Sequence, residues 1–273
     1  MKNRFSAFMK NLKEVRKKPE MQILPGQLAF FLLLSIIPFC AIVSVIATRF
    51  NISVESILNA ASDNLPQEVY DFISDLVSGR SNNINIIIFS ILGFILASNG
   101  PHSMIIGSNL LYNIPIEDSV SRRIKAILMA VILVILFIFV LLVPAFGDQI
   151  VRLITDAVPY DSVDKTIVNL YNILKYPISI FIIFFFVKLL YVMAPDKTIK
   201  SRTTTKGAIV TTFGWIVATE IYSFYVKEFA TYNILYGSVA NLLILFMWIY
   251  ILSYIFVLGM ALNAASYNTD KEE

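Results

Sequence analysis

Tyr236-Gly237-Ser238-Val239-Ala240-Asn241, running on through Trp248-Ile249-Tyr250 to Gly259-Met260-Ala261-Leu262-Asn263-Ala264, decides the fold. The run is apolar almost throughout and carries no charge over about 27 residues. At ~1.5 Å rise per residue a helix of that length measures roughly 40 Å, more than the ~30 Å hydrocarbon core of a bilayer. The spacing therefore predicts a span over 237–263, tilted or protruding, with a short polar tail at 264–273.

The polar and small residues of this run recur at three- and four-residue intervals: Ser238, Asn241, Trp248, Ser253 or Phe256, Gly259 and Asn263. That period collects most of them on one helical face. Lipid rewards no polar group, whereas small residues let helices approach and amides bond across them, so the face should look inward. Two readings stay open, a packing seam and the lining of a substrate path.

The segment resembles the C-terminal signature of the YihY/BrkB family of bacterial inner-membrane proteins. In that signature a Tyr-Gly-Ser turn precedes a helix with Trp-x-Tyr and a closing Leu-Gly-x-x-Leu-Asn. Here the residues are Tyr236-Gly237-Ser238, Trp248-Ile249-Tyr250 and Leu258-Gly259-Met260-Ala261-Leu262-Asn263. Similar family features are Ala29 with Leu34-Ser35-Ile36-Ile37-Pro38, and Tyr191-Val192-Met193-Ala194-Pro195-Asp196. The resemblance covers nearly the whole chain, implies a multi-pass protein of the bacterial cell membrane, and names no substrate.

Composition agrees. Of 273 residues 57% are hydrophobic and 15% charged, more apolar surface than a soluble domain can cover. The expected fold is an all-α integral membrane protein, one domain with six spans at about 27–48, 84–104, 124–146, 177–194, 207–226 and 237–263. The single cysteine, Cys40, has no disulfide partner. Bulky Pro38-Phe39 and the apolar run beyond Cys40 argue against a cleaved leader.

Residues 1–22 interleave Lys2, Arg4, Lys10, Lys13, Arg16, Lys17 and Lys18 with Phe5, Phe8, Met9, Leu12 and Val15. This predicts a basic amphipathic helix on the anionic cytoplasmic leaflet rather than a nucleic-acid arm. Pro19 should end that helix and Pro25-Gly26 should turn the corner into the first span, within which Ser35 and Pro38 mark packing and a kink. Residues 49–82 hold two acidic amphipathic segments expected to cap the outer face. Span two is expected to break inside the bilayer at Ser98-Asn99-Gly100-Pro101-His102-Ser103, followed by a short, mostly apolar piece, 104–114, that carries Ser108, Asn109 and Tyr112. Gly214 and Ala218 form a small-residue pair in span five, which also contains Glu220.

A broken span exposes backbone groups able to hold an ion or polar solute, and an ionisable group in a span costs a few kcal/mol unless paired or hydrated. The candidate substrate-binding set is therefore Ser98, Asn99, Gly100, His102, Ser103, Asn109, Glu220, Ser238, Asn241 and Trp248. The candidate packing set is Ser35, Pro38, Gly214, Ala218, Tyr236, Gly237, Gly259 and Asn263. If both halves serve one site, Asn99 and His102 should face Glu220 or the last-span stripe across a cavity some 10 Å deep. His102 is the sole histidine, so no metal cage, cofactor site or oriented base is expected. The nuclease label historically attached to the family finds no chemistry here, and no enzyme activity is expected.

The leading functional reading is a transporter or exporter of a small solute, ion or lipid; the alternative is an envelope scaffold or partner subunit. Substrate, coupling ion, direction and oligomeric state, a homo-oligomer included, stay open.

Lys and Arg number fifteen on the face holding the N-terminus, the 2–3 and 4–5 connections and the tail, against six on the other. The positive-inside rule then puts both termini in the cytoplasm. A reporter active only in the cytoplasm is expected to work when fused after Glu273 or within 197–206, and to be silent within 55–78. The reverse pattern would overturn the orientation.

Overall fold

The computed structural model describes residues 2–49, 93–116, 120–133, 135–136, 161–229 and 238–272, among which there is no strand. Seven helices are used below: α1 (Lys2–Arg16), α2 (Glu20–Arg49), α3 (Asn99–Leu111), α4 (120–133), α5 (Asp161–Met193), α6 (Thr205–Phe229) and α7 (Ser238–Glu272). The outer segments expected at 49–82, and Tyr236 and Gly237, lie outside the described residues.

The surface is apolar where that of a water-soluble protein is polar. Phe181, Phe213, Ile221, Phe224, Leu243 and Met247 are each more than half exposed, while Ser108, Asn109, Thr211 and Asn263 are fully buried. Such a distribution has its free-energy minimum in lipid, where apolar side chains face the solvent and polar ones must find partners inside. Among the described residues one helix, Leu243–Lys271 within α7, is long and apolar enough to cross a membrane, at mean hydropathy 2.3.

α7 is the axis of the described fold, packing against α6, α2, α1 and, less extensively, α3. Asn11 of α1 donates to Thr269 Oγ1 (3.1 Å), and Ala29 of α2 packs with Leu245 and Ile249. Ascending α2 thus runs down α7. A Cβ on Gly107 would strike Leu24, and one on Gly100 would lie 3.2 Å from Phe31 Cβ, so α3 is antiparallel to α2 as well. α3 and α7 are consequently parallel.

Against α6, α7 makes the closest approach. Gly207 stands in the first turn of α6, where a backbone N–H has no partner in its own helix. Asn263 Oδ1 accepts that hydrogen at 2.8 Å. A Cβ on Gly207 would collide with the Gly259 carbonyl, and one on Gly259 with Thr211 Oγ1 and the Tyr191 hydroxyl. Further along, Trp215 Nε1 donates to the Leu252 carbonyl at 2.9 Å and Tyr222 stacks on Trp248 at 5.1 Å. Gly214 meets Ile255, and Ala218 is half-buried on the same side.

Several boundaries differ from those expected. Pro25-Gly26 makes no corner: the chain breaks at Lys17–Pro19, and α2 starts at Glu20 with Gln22 N donating to Pro19 O (3.0 Å). Burial of Met21, Leu24 and Leu28 outweighs the single backbone bond that Pro25 forfeits. α2 continues through Ser35 and Pro38, with Ser35 Oγ turned back to Leu32 O at 2.6 Å. Residues 161–176 are not loop but the first half of α5, which passes through Pro177. The tail at 264–273 is also not free, because α7 extends to Glu272 and is packed on α1. α1 thus rests on protein along one face, its Phe8 ring 5.2 Å from Lys206 Nζ, and presents Lys10, Lys13 and Arg16 on the other.

Gly259→Ala should lower the thermal unfolding midpoint in detergent, by an overpacking cost of about 1–3 kcal/mol. Gly26→Ala, where nothing lies within 4 Å of the added carbon, should leave it unchanged or raise it. Equal effects from the two would refute the close-approach account.

Candidate functional site

α3 begins without a true break. Gly93–Ala97 are already helical, Ser98 is a one-residue turn with φ −66° and ψ −10°, and helical bonds cross it from Ser98 N to Phe94 O and from His102 N to Ser98 O, both 3.0 Å. Pro101 is the third residue of α3, where it lacks a donor that the first turn does not use. The expected interruption over 98–103 is therefore only a turn. Gly100 serves packing against Phe31, and Ser98 Oγ donates to Ile95 O at 2.6 Å. Asn99 Oδ1 accepts from Arg123 at 2.8 Å, while His102 and Ser103 are half-buried.

The far end of α3 is built for a polar junction. Asn113, at φ 55°, takes the left-handed position after the helix. Asn113 N donates to Leu110 O (3.3 Å) and Ile114 N to Asn109 O (2.8 Å), the paired bonds of a Schellman ending. Lys18 Nζ reaches the carbonyls of Leu110 (2.5 Å) and Leu111 (3.3 Å) and Asn113 Oδ1 (2.6 Å). A cation there answers the partial negative charge of the helix end. Burial lowers the Lys18 ammonium from its ordinary value, with Glu20 opposing the shift.

Asn109, fully buried, forms a reciprocal pair with Asp196: its Nδ2 donates to Asp196 Oδ2 at 2.5 Å, and Asp196 N donates to its Oδ1 at 2.8 Å. Arg122 Nε donates to the same carboxylate at 3.0 Å and Lys125 Nζ to its other oxygen at 3.2 Å. Lys125 also caps the end of α5 through Ala194 O (3.2 Å) and Pro195 O (2.6 Å). Burial by itself would raise the Asp196 carboxyl, but bonds from Asn109, Arg122 and Lys125 prevail and hold it below the usual carboxylate range. This hub ties α3, α4 and the α5–α6 connection together. In the sequence Pro195-Asp196 stood out only as part of a family feature, and the basic residues only as orientation signals.

A second polar locus lies between α5, α6 and α7. The Tyr191 hydroxyl donates to Phe256 O at 2.7 Å and shares a 2.6 Å bond with Thr211 Oγ1. Ser253, Phe256, Gly259 and Asn263 are buried on this side of α7, and Trp248 is half-buried. Ser238 and Asn241 belong to α7, but their side chains, like that of Pro38, lie outside the described residues.

Glu220 is not on this side. Gly207, Thr211, Gly214, Trp215, Ala218 and Tyr222 make one stripe of α6, and at about 100° per residue Glu220 falls nearly opposite its centre. It is exposed beside Phe213, Val217, Ile221 and Phe224. The structure thus does not bring Glu220 together with Asn99 and His102. Lys188 lies 5.8 Å from the Phe184 ring, a cation–π distance.

What the interior does contain is a set of buried polar atoms without hydrogen-bond partners. Among the described residues these are Ser108 Oγ, Tyr112 OH, Trp248 Nε1, Ser253 Oγ, Asn263 Nδ2 and Ser266 Oγ. All lie on α3, its cap residue or α7. Asn263, Ser253 and Trp248 are marked by their period in the sequence, whereas Ser108 and Tyr112, one turn apart, are noted there as polar but fall outside the candidate set.

Comparison with known proteins follows the same lines. A family model described as "Virulence factor BrkB" matches residues 17–273. A Bacillus subtilis protein whose name includes "ribonuclease-like protein YfkH" is 27% identical over 269 residues, covering 97% of each chain. A "UPF0761 membrane protein" of Vibrio parahaemolyticus is 23% identical over 275 residues, covering 95% of this chain and 82% of the relative. No solved structure matches.

Because the Asp196 carboxyl is depressed in the fold, its stabilisation is fully present above the unfolded value, ~3.9, and lost as pH falls through the lower folded value. Asp196→Asn should remove that acid-side loss and cost about 1–3 kcal/mol at neutral pH, since Arg122 then keeps a buried charge without its carboxylate. Denaturation followed from pH 7 to pH 2 checks both; an unchanged acid limb would refute the hub.

Proposed function

The chain belongs to the BrkB family of membrane proteins, and from that premise we propose that it is a multi-pass protein of the bacterial inner membrane that transports or exports a small solute. The hydrophobic runs of the sequence support six spans, and the Lys and Arg count supports both termini in the cytoplasm. The observation that carries the transport reading is the set of partnerless polar atoms on α7. From Trp248 to Ser266 it extends over roughly 27 Å of helix, close to the hydrocarbon thickness. Polar groups left unpaired inside a membrane bundle are expensive, and a solute or water that passes them supplies the missing bonds.

In this reading the path follows the inner face of α7, and the exposed Glu220 is not part of it. The Asp196 hub at the basic end of the bundle closes α3 against α5 in the state described. The ribonuclease-like name of the Bacillus relative transfers no chemistry by itself, and with a single histidine in the chain we read it as a non-enzyme.

Purified protein in liposomes should show saturable flux for some member of a broad panel of neutral and charged small solutes. Ser253→Ala and Trp248→Phe, which keep the packing and remove the polar atoms, should depress that flux. Absence of flux across the panel, or flux indifferent to both substitutions, would overturn the proposal and favour the scaffold reading.

A further inference from the structure

Three of the partnerless groups fall on facing turns of α3 and α7 when the two helices are aligned by one ring contact. α3 and α7 are parallel, and the Tyr112 and Tyr267 rings meet edge to face at 5.5 Å. One turn earlier on each helix come Ser108 and Asn263, both fully buried. Side chains on helices lean toward the N-terminal end, so the Tyr112 hydroxyl reaches back toward the level of Ser108 and Asn263. Asn263 spends its oxygen on Gly207 N and has its amide nitrogen left over.

We infer that Ser108, Tyr112 and Asn263 form an occluded, uncharged binding site between α3 and α7 for a small neutral molecule bearing hydrogen-bond-accepting oxygen, water being its smallest member. All three groups can donate, and the amide nitrogen can only donate, so the occupant must accept. An anion is disfavoured because the described cations around this end of α3 are already engaged, Lys18 by the carbonyls of Leu110 and Leu111 and by Asn113, and Arg122 and Lys125 by Asp196. Leu111, Ile105 and Met260 belong to the buried apolar core around these helices. This deepens the transport reading, on which the role of the site rests, by naming where solute is held and with what chemistry.

The test is X-ray radiolytic labelling of the full chain in lipid nanodiscs, in which radicals born on bound water oxidise the side chains touching it. Tyr112 and Phe256 are equally buried, at 2% and 3% exposure. Tyr112 should be oxidised well above Phe256, and Ser108→Ala should abolish the excess. Tyr112→Phe and Ser108→Ala should each lower the unfolding midpoint, because the occupant loses a partner; partnerless hydroxyls would give the opposite sign on removal. Added glycerol separates the occupants: a fall in Tyr112 labelling relative to the exposed Met9 means that the site takes the polyol, and a constant ratio means that it holds water. Tyr112 as silent as Phe256, or a midpoint raised in either variant, overturns the site. Neither readout involves flux, so a protein that moves no solute yet labels Tyr112 loses the transport reading and keeps the site, and the converse result does the reverse.

Discussion

The contact between Gly207 and Gly259 is the constraint on which the rest of the described bundle depends. In lipid there is no hydrophobic drive to bring two helices together, so association rests on close packing and on polar bonds that lipid cannot offer. Two missing side chains let the backbones of α6 and α7 approach until Asn263 reaches Gly207 N and Thr211 reaches Tyr191. With α7 held in that way, its other faces receive α2 through Ala29 and α1 through Asn11. The same approach leaves the amide nitrogen of Asn263, which lies as close to Gly207 as its oxygen does, without a hydrogen-bond partner.

A second constraint acts at the helix ends. The carbonyls that close α3 and α5 carry partial negative charge, and each receives a lysine from elsewhere in the chain: Lys18 for α3 and Lys125 for α5. Asp196 lies between them and collects Asn109, Arg122 and Lys125. Charges at this end are thus spent on fastening, whereas the polar atoms deeper in the bundle are neutral. The separation bears on the proposed transport, since a neutral interior favours uncharged solutes over ions.

The functional reading draws on that contrast. Exposed phenylalanines and isoleucines make the outside a lipid-facing surface, and the inside holds hydroxyls and an amide that the protein does not satisfy. A purely structural bundle gains by replacing such groups with apolar ones of the same shape. Their concentration on α3 and α7 is the physical reason to seek a ligand there rather than around Glu220.

Much of the helical content was legible in the sequence, because hydrophobic runs of bilayer length have few other solutions in lipid. The period of Ser253, Phe256, Gly259 and Asn263 likewise marked one face of the last helix, since periodicity is a property of the helix itself. Tertiary structure alone decided the partners. Nothing local says that Asn109 meets Asp196, 87 residues away, or that Glu220 turns outward while Ala218, two positions earlier, turns in. Local signals also misled where packing outweighed them: Pro25-Gly26 reads as a corner and is helix, and Asn99-Gly100-Pro101 reads as a break and is a first turn. The sequence by itself determined which segments seek lipid and which faces seek each other. Which buried polar group is satisfied, and which is left for a ligand, depends on distances between helices that only the assembled bundle sets.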